Sequence, residues 1–241
     1  MSEQTIALVT GANKGIGYEI AAGLGALGWR IGVGARDRDR RDTAVEKLRA
    51  GGTDAFGVPL DVTDDASVAA AASLIAEEAG GLDVLVNNAA ITGGEPQTPT
   101  TVEPATVRTV LETNVIGVIR VTNAMLPMLR GSAAPRIVNM SSSVGSLALQ
   151  ATPGVDLGQA PVAYLASKTF LNALTTQYAK ELSGTGILVN SGCPGYTATD
   201  LNGFRGFRTP QQGAAIAIHL ATLPADGPTG GFFDDAGAVP W

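Results

Sequence analysis

Short apolar runs alternate with longer stretches of helical periodicity along most of this chain. Six runs have the length and β-rich composition of strands: 5–10 (TIALVT), 30–35 (RIGVGA), 55–60 (AFGVPL), 82–87 (LDVLVN), 136–140 (RIVNM) and 186–193 (GILVNSGC). They are apolar on both alternating sets of positions, as strands covered on both faces must be. Apolar residues at helical spacing predict helices over 16–27, 43–50, 66–79, 105–129 and 162–182. A further alanine-rich helix contains AAIAIHLATL.

Strands alternating with helices build βαβ units and hence a parallel sheet. The expected fold is α/β and doubly wound, with a central parallel sheet of about seven strands and helices on both faces. No composition break, long linker or fixed-period repeat divides residues 1–241, so one domain is expected over the whole length. Two turn-rich segments break the alternation, 89–104 and 143–161. Both follow strands, which puts them at the carboxyl ends of the sheet, where open α/β folds bind ligands.

Composition adds limits. Apolar residues make up 45% of the chain and aromatics only 5%, so the core must rest on close helix–sheet approach more than on large rings. A net charge of −6 supplies no basic face for nucleic acid. The lone Cys193 precludes an internal disulfide and fits a reducing compartment. No secretory leader and no apolar run of about 18 residues is apparent. A soluble, cytoplasmic protein with no membrane partner is expected.

The first strand runs into TGANKGIG, with Gly11, Gly15 and Gly17 behind Thr10. Glycines in that place permit a tight turn and let backbone N–H groups approach a phosphate at the helix start. The same loop also reads as an ordinary turn for close helix packing. Lys14 is a cation among small residues. The second strand ends at Ala35 and Arg36, without the carboxylate that commonly takes the ribose hydroxyls of NAD. A 2′-phosphate would give both Lys14 and Arg36 a partner, although Arg36 could equally pair with Asp37 or Asp39.

Tyr164 and Lys168 stand four apart on a predicted helix, and so on one face. An ammonium beside a phenol favours the phenolate and should lower its pKa. Without more context the pair also reads as helix-surface neighbours. Ser142 follows the strand 136–140 and could hydrogen-bond a carbonyl oxygen, or belong to a serine-rich turn. Asn114 is an amide among apolar helix positions, either a satisfied buried group or part of a proton path. His219 has no nucleophile or metal cluster around it and reads as structural.

Together and in order, these pieces resemble the short-chain dehydrogenase/reductase family, a single Rossmann-type domain. The resemblance covers nearly the whole chain. Thr10-Gly11-x-x-x-Gly15-x-Gly17 looks like its cofactor turn, NNAA (87–90) like its Asn-Asn-Ala-Gly segment, and PGYTAT (194–199) like its Pro-Gly loop. Within the family the chain looks most like carbonyl reductases and their plant-type relatives. The resemblance implies NADPH as cofactor and a catalytic set of Asn114, Ser142, Tyr164 and Lys168. It places the cofactor on Gly11, Asn13, Lys14, Gly15, Ile16 and Gly17 of the loop, and on Arg36. Asp61, Val62, Asn88 and Ala89 follow the next strands, and Pro194, Gly195, Thr197 and Thr199 come from the Pro-Gly loop. Tyr164 and Lys168 complete the list.

The implied reaction is reduction of a small-molecule ketone or aldehyde, apolar in character. Tyr164 donates the proton, Lys168 lowers its pKa, Ser142 holds the carbonyl oxygen and Asn114 positions a water. A 3-oxoacyl-carrier-protein or polyketide-type ketoreductase is the enzyme alternative, and an NADP-sensing binding protein the non-enzyme one. Two departures stand out. Ala90 replaces the usual glycine, and the stretch from Ser142 to Tyr164 is longer than in most members yet shorter than in animal carbonyl reductases. That length leaves monomer, dimer and tetramer open.

Overall fold

All six apolar runs become strands, because each is buried on both faces. In the computed structural model, which describes residues 4–94, 97–158 and 160–241, they are β1 Ile6–Thr10, β2 Arg30–Ala35, β3 Asp54–Pro59, β4 Val84–Asn87, β5 Arg136–Met140 and β6 Leu188–Gly192. Along β1, Ala7 and Val9 enter one core cluster and Leu8 the other. Apolar residues at every position therefore serve two cores at once. Burying a Leu, Ile or Val in this way contributes roughly 1.5–3 kcal/mol.

The sheet has eight strands in the order β3-β2-β1-β4-β5-β6-β7-β8. The two additions to the expected set are β7 Phe232–Asp234 and β8 Gly237–Ala238. They have three and two residues, too few to show as apolar runs. β8 pairs antiparallel with β7, so the sheet is parallel through β7 only. Helices α1 Gly15–Gly25 and α8 Pro210–Ala221 contribute to one core cluster, together with α2 Arg38–Ala50. Helices α3 Asp65–Ala79, α5 Gly117–Leu129 and α7 Val162–Glu181 contribute to the other. A side chain at Gly23 would meet Ile218 Cδ1 at 2.3 Å. That close approach of α1 and α8 is where the glycine and alanine content is used.

Two helices depart from their expected form. α2 begins five residues before the expected start at 43, because Asp37 caps it, accepting from the Arg40 N–H at 3.0 Å. The expected helix 105–129 is α4 Pro104–Leu111 and α5, joined by a π turn over Glu112–Ile116. Asn114 lies in that turn.

The irregular segment after Ser142 contains a 3-10 turn, Ser143–Gly145, and the short helix α6 Leu147–Ala151. The last residues of the chain hold it. Ser146 Oγ donates to the Pro240 carbonyl at 2.7 Å and the Ala148 N–H to the Trp241 carbonyl at 2.9 Å. Trp241 in turn stacks on Phe232. Within the two irregular segments, Glu95, Pro96 and Gln159 lie outside the described residues. Among the described residues no helix is long and apolar enough to cross a membrane, and no group of His, Cys, Asp and Glu could hold a metal ion.

Candidate active site

The strand order reverses between β1 and β4, and a crevice opens at the carboxyl ends of these two strands. Thr10 ties its two sides together. Its hydroxyl oxygen accepts from the backbone N–H groups of Asn88 (2.9 Å) and Ala89 (3.0 Å). The Asn88 amide returns a hydrogen bond to the Thr10 carbonyl at 2.9 Å. A side chain at Gly17 would fall 2.4 Å from Asn88 Nδ2 and 2.5 Å from the Gly11 carbonyl oxygen. Glycine is therefore required there for the loop to sit against the NNAA segment.

A cavity of about 640 Å³ fills this crevice. The loop residues Gly11, Asn13, Lys14, Gly15, Ile16 and Gly17 line it, with Arg36, Asp61, Val62, Asn88, Ala89 and Thr199. Lys14 is the extended residue before α1, and no side chain caps that helix, whereas Asp37 and Asp64 cap α2 and α3. Its first N–H groups therefore point at the cavity without a side-chain acceptor, an arrangement that suits a phosphate. Arg36 makes no ion pair among the described residues; Asp37 pairs with Arg40 instead. Lys14 pairs with Asp200. Asp61 accepts from the N–H and hydroxyl of Thr63, and these bonds hold its carboxyl below the usual range.

The expected catalytic side chains gather at the ends of β5 and β6 and do not line that cavity. Tyr164 and Lys168 lie one turn apart on α7, with Lys168 Nζ 5.3 Å from the centre of the Tyr164 ring. The Ser142 side chain hydrogen-bonds the phenol. Lys168 is 3% exposed and donates to the Met140 carbonyl at 2.7 Å. Burial pulls the Lys168 pKa down to about 8. The same burial raises the Tyr164 phenol, with the Ser142 hydrogen bond acting the other way. The expected lowering of the tyrosine by Lys168 does not appear: loss of water dominates, and Cys193 acts in the same direction.

Both N–H donors of the Asn114 amide are used, and its oxygen accepts one bond. It donates to the Ile91 carbonyl and Ser167 Oγ and accepts from the Ile91 N–H, each at 2.9 Å. Ser167 Oγ passes the chain to the Tyr164 carbonyl at 2.6 Å. The side chain thus braces α7 against the segment at Ile91. Thr197, expected on the cofactor, does not line the cavity, and neither do Pro194 and Gly195. Thr197 is buried, and its hydroxyl donates to the Pro194 carbonyl at 3.0 Å, shaping the Pro194-Gly195 turn.

The family model for the short chain dehydrogenases matches residues 5–206. The chain belongs to the short-chain dehydrogenase family. It is 32% identical to carbonyl reductase [NADPH] 1 of Mus musculus, over 100% of this chain and 99% of that protein. Among solved structures, the NADPH-bound carbonyl reductase from chicken fatty liver superposes with a TM-score of 0.86 at 30% identity, covering 99% of this chain and 100% of that one. A variant of the actinorhodin polyketide ketoreductase with NADPH gives a TM-score of 0.83 at 29% identity, covering 98% and 97%.

This short-chain dehydrogenase has site residues that the sequence pattern did not reveal. Arg40 lines the cavity beside Arg36. The GARDRDR run carried that arginine in plain view, but its position depends on the early start of α2. Ser167 links Asn114 to α7, and nothing in the sequence marks it. Cys193 is buried, accepts from the Ser143 N–H at 3.2 Å, and is raised in pKa by burial. It lies close enough to influence both Tyr164 and Lys168.

Proposed function

We propose that this protein reduces ketone or aldehyde carbonyls to alcohols with NADPH. The observation that carries this reading is the pairing of two features. One is a crevice of about 640 Å³ rimmed by Lys14, Arg36 and Arg40. The other is the group beside it of half-buried Ser142 and Tyr164 with buried Lys168. The similarity to carbonyl reductases supports it.

The glycine loop and the start of α1 would hold the diphosphate, Lys14, Arg36 and Arg40 the 2′-phosphate, and Asp61 and Val62 the adenine side. Asn88, Ala89, Pro194, Gly195 and Thr199 would flank the rest, with Lys168 at the nicotinamide ribose. NADPH, when bound, supplies the hydride. Ser142 would hydrogen-bond the substrate carbonyl oxygen. Tyr164 would give that oxygen its phenolic proton as negative charge develops there. Its raised pKa keeps the phenol protonated at neutral pH, and an alkoxide is a far stronger base. Tyr196, Phe204 and Phe207 are exposed beyond the Pro194-Gly195 turn and would offer apolar surface to the substrate.

The test is cofactor oxidation by purified protein with aldehydes, quinones, β-keto esters and aryl ketones. The reading expects turnover on at least one class. Intact NADPH binding with no turnover on any would overturn it. A second reading, reduction of a carrier-bound β-keto acyl group, draws on the likeness to the actinorhodin ketoreductase. It expects the carrier-bound form of one acyl group to be reduced faster than its free ester.

A further inference from the structure

Lys14 does not wait free at the cavity rim. It is ion-paired with Asp200, 186 positions along the chain. The pair joins two rims that nothing in the sequence relates: the glycine loop, and the turn Asp200–Asn202 that leads to the exposed Leu201, Phe204 and Phe207. Both members line the 640 Å³ cavity, and both also line a second cavity of about 570 Å³ on the outer side of the loop. The ion pair therefore stands at the boundary of the two.

The other acids at this rim are committed elsewhere. Asp37 caps α2 and pairs with Arg40, and Asp61 is held by Thr63. Asp200 alone among them has Lys14 as its ion-pair partner. Each side chain of the pair is about half exposed, at 51%. An exposed pair of this kind is weak and readily exchanged. A dianionic phosphate arriving at Lys14 is a better partner than a carboxylate, and meets repulsion from that carboxylate until it withdraws.

We propose that Asp200 is a specificity-determining residue that competes with the 2′-phosphate of NADPH for Lys14. This rests on the reading that Lys14 binds that phosphate. Asp200 thereby weakens NADPH binding in the native protein, leaves NADH binding untouched, and ties the segment after Thr199 to the glycine loop until the phosphate takes its place.

The experiment is calorimetric titration of NADPH, NADH and adenosine 2′,5′-bisphosphate into the native protein and into Asp200→Asn, Lys14→Gln and the double variant. Asp200→Asn should bind NADPH and the bisphosphate roughly threefold more tightly, with NADH unchanged. That gain should vanish when Lys14 is already glutamine. Unchanged or weaker NADPH binding in Asp200→Asn would overturn the proposal, as would equal gains with NADPH and NADH. If Lys14→Gln itself leaves NADPH affinity intact, the underlying reading of Lys14 fails as well. A loss confined to Lys14→Gln leaves that reading standing and removes only the role of Asp200.

Discussion

The two halves of the candidate site are built by opposite means. The nucleotide side is a wide crevice with Arg36, Arg40 and Lys14 at its solvent-exposed rim, backed by backbone N–H groups that no side chain caps. The chemical side is a set of side chains packed out of water, with Asn114 1%, Ser167 0% and Lys168 3% exposed. Their hydrogen bonds run to Ile91, Tyr164 and Met140. The difference teaches what each half is suited to. Hydrated cations exchange water for a ligand at small cost. Desolvated groups have their proton affinities moved, which binding does not need and proton transfer does.

Three changes bear on that contrast, from the largest expected effect to the smallest. Replacing Lys168 with methionine should lower kcat by roughly 10²–10⁴-fold, the range for a group that supports general acid catalysis. Its titration gives the same residue a pH signature. Lys168 is cationic below about 8. If the ammonium is required, kcat/KM for NADPH is flat below that value and falls about tenfold per pH unit above it. The linked stability has the opposite slope. A cation with a lowered folded pKa costs stability while it is charged, and that cost is relieved as pH rises from about 8 towards 10.5. Thermal melts across this window should show the gain in the native protein and lack it in Lys168→Met.

Neutralising Lys14 and Arg36 together, as glutamines, should raise the Kd for NADPH by roughly 10–100-fold, about 1.4–2.7 kcal/mol for the two together, because both side chains are exposed and each contact is weakened by water. The Kd for NADH should move less than about twofold. Equal losses with both cofactors would remove the contrast between the halves. Asn114→Ala should have the smallest effect on binding and act through α7. Stranding the Ile91 groups and Ser167 should cost about 1–3 kcal/mol of stability, measured by denaturant titration. Loss of turnover without loss of stability would instead give the Asn114 side chain a direct part in the chemistry.

The same contrast explains what could be read from the residues alone. The strands were legible because burial on both faces leaves uninterrupted apolar runs. The glycine loop, Arg36 and the Tyr164–Lys168 spacing were legible because each is local. The start of α2 was not, because its first turn is charged and rests on the Asp37 cap. That concealed Arg40. The π turn at Asn114 leaves no periodic mark over five residues, and so the bracing role of its amide was hidden too. The Lys14–Asp200 pair joins residues far apart in the chain. The direction of the Tyr164 shift is not legible for a physical reason: charge is written in the sequence, but desolvation is a property of the packed protein.

The division between a binding half and a chemical half is tested most directly by Tyr164→Phe. NADPH is first titrated into the variant, and a carbonyl substrate of the native enzyme is then added to the saturated complex to follow a single turnover. The account predicts a Kd within about twofold of the native protein and a hydride-transfer rate lower by roughly 10²–10⁴-fold. An unchanged rate, or a loss of NADPH affinity that accounts for the whole defect, would contradict it.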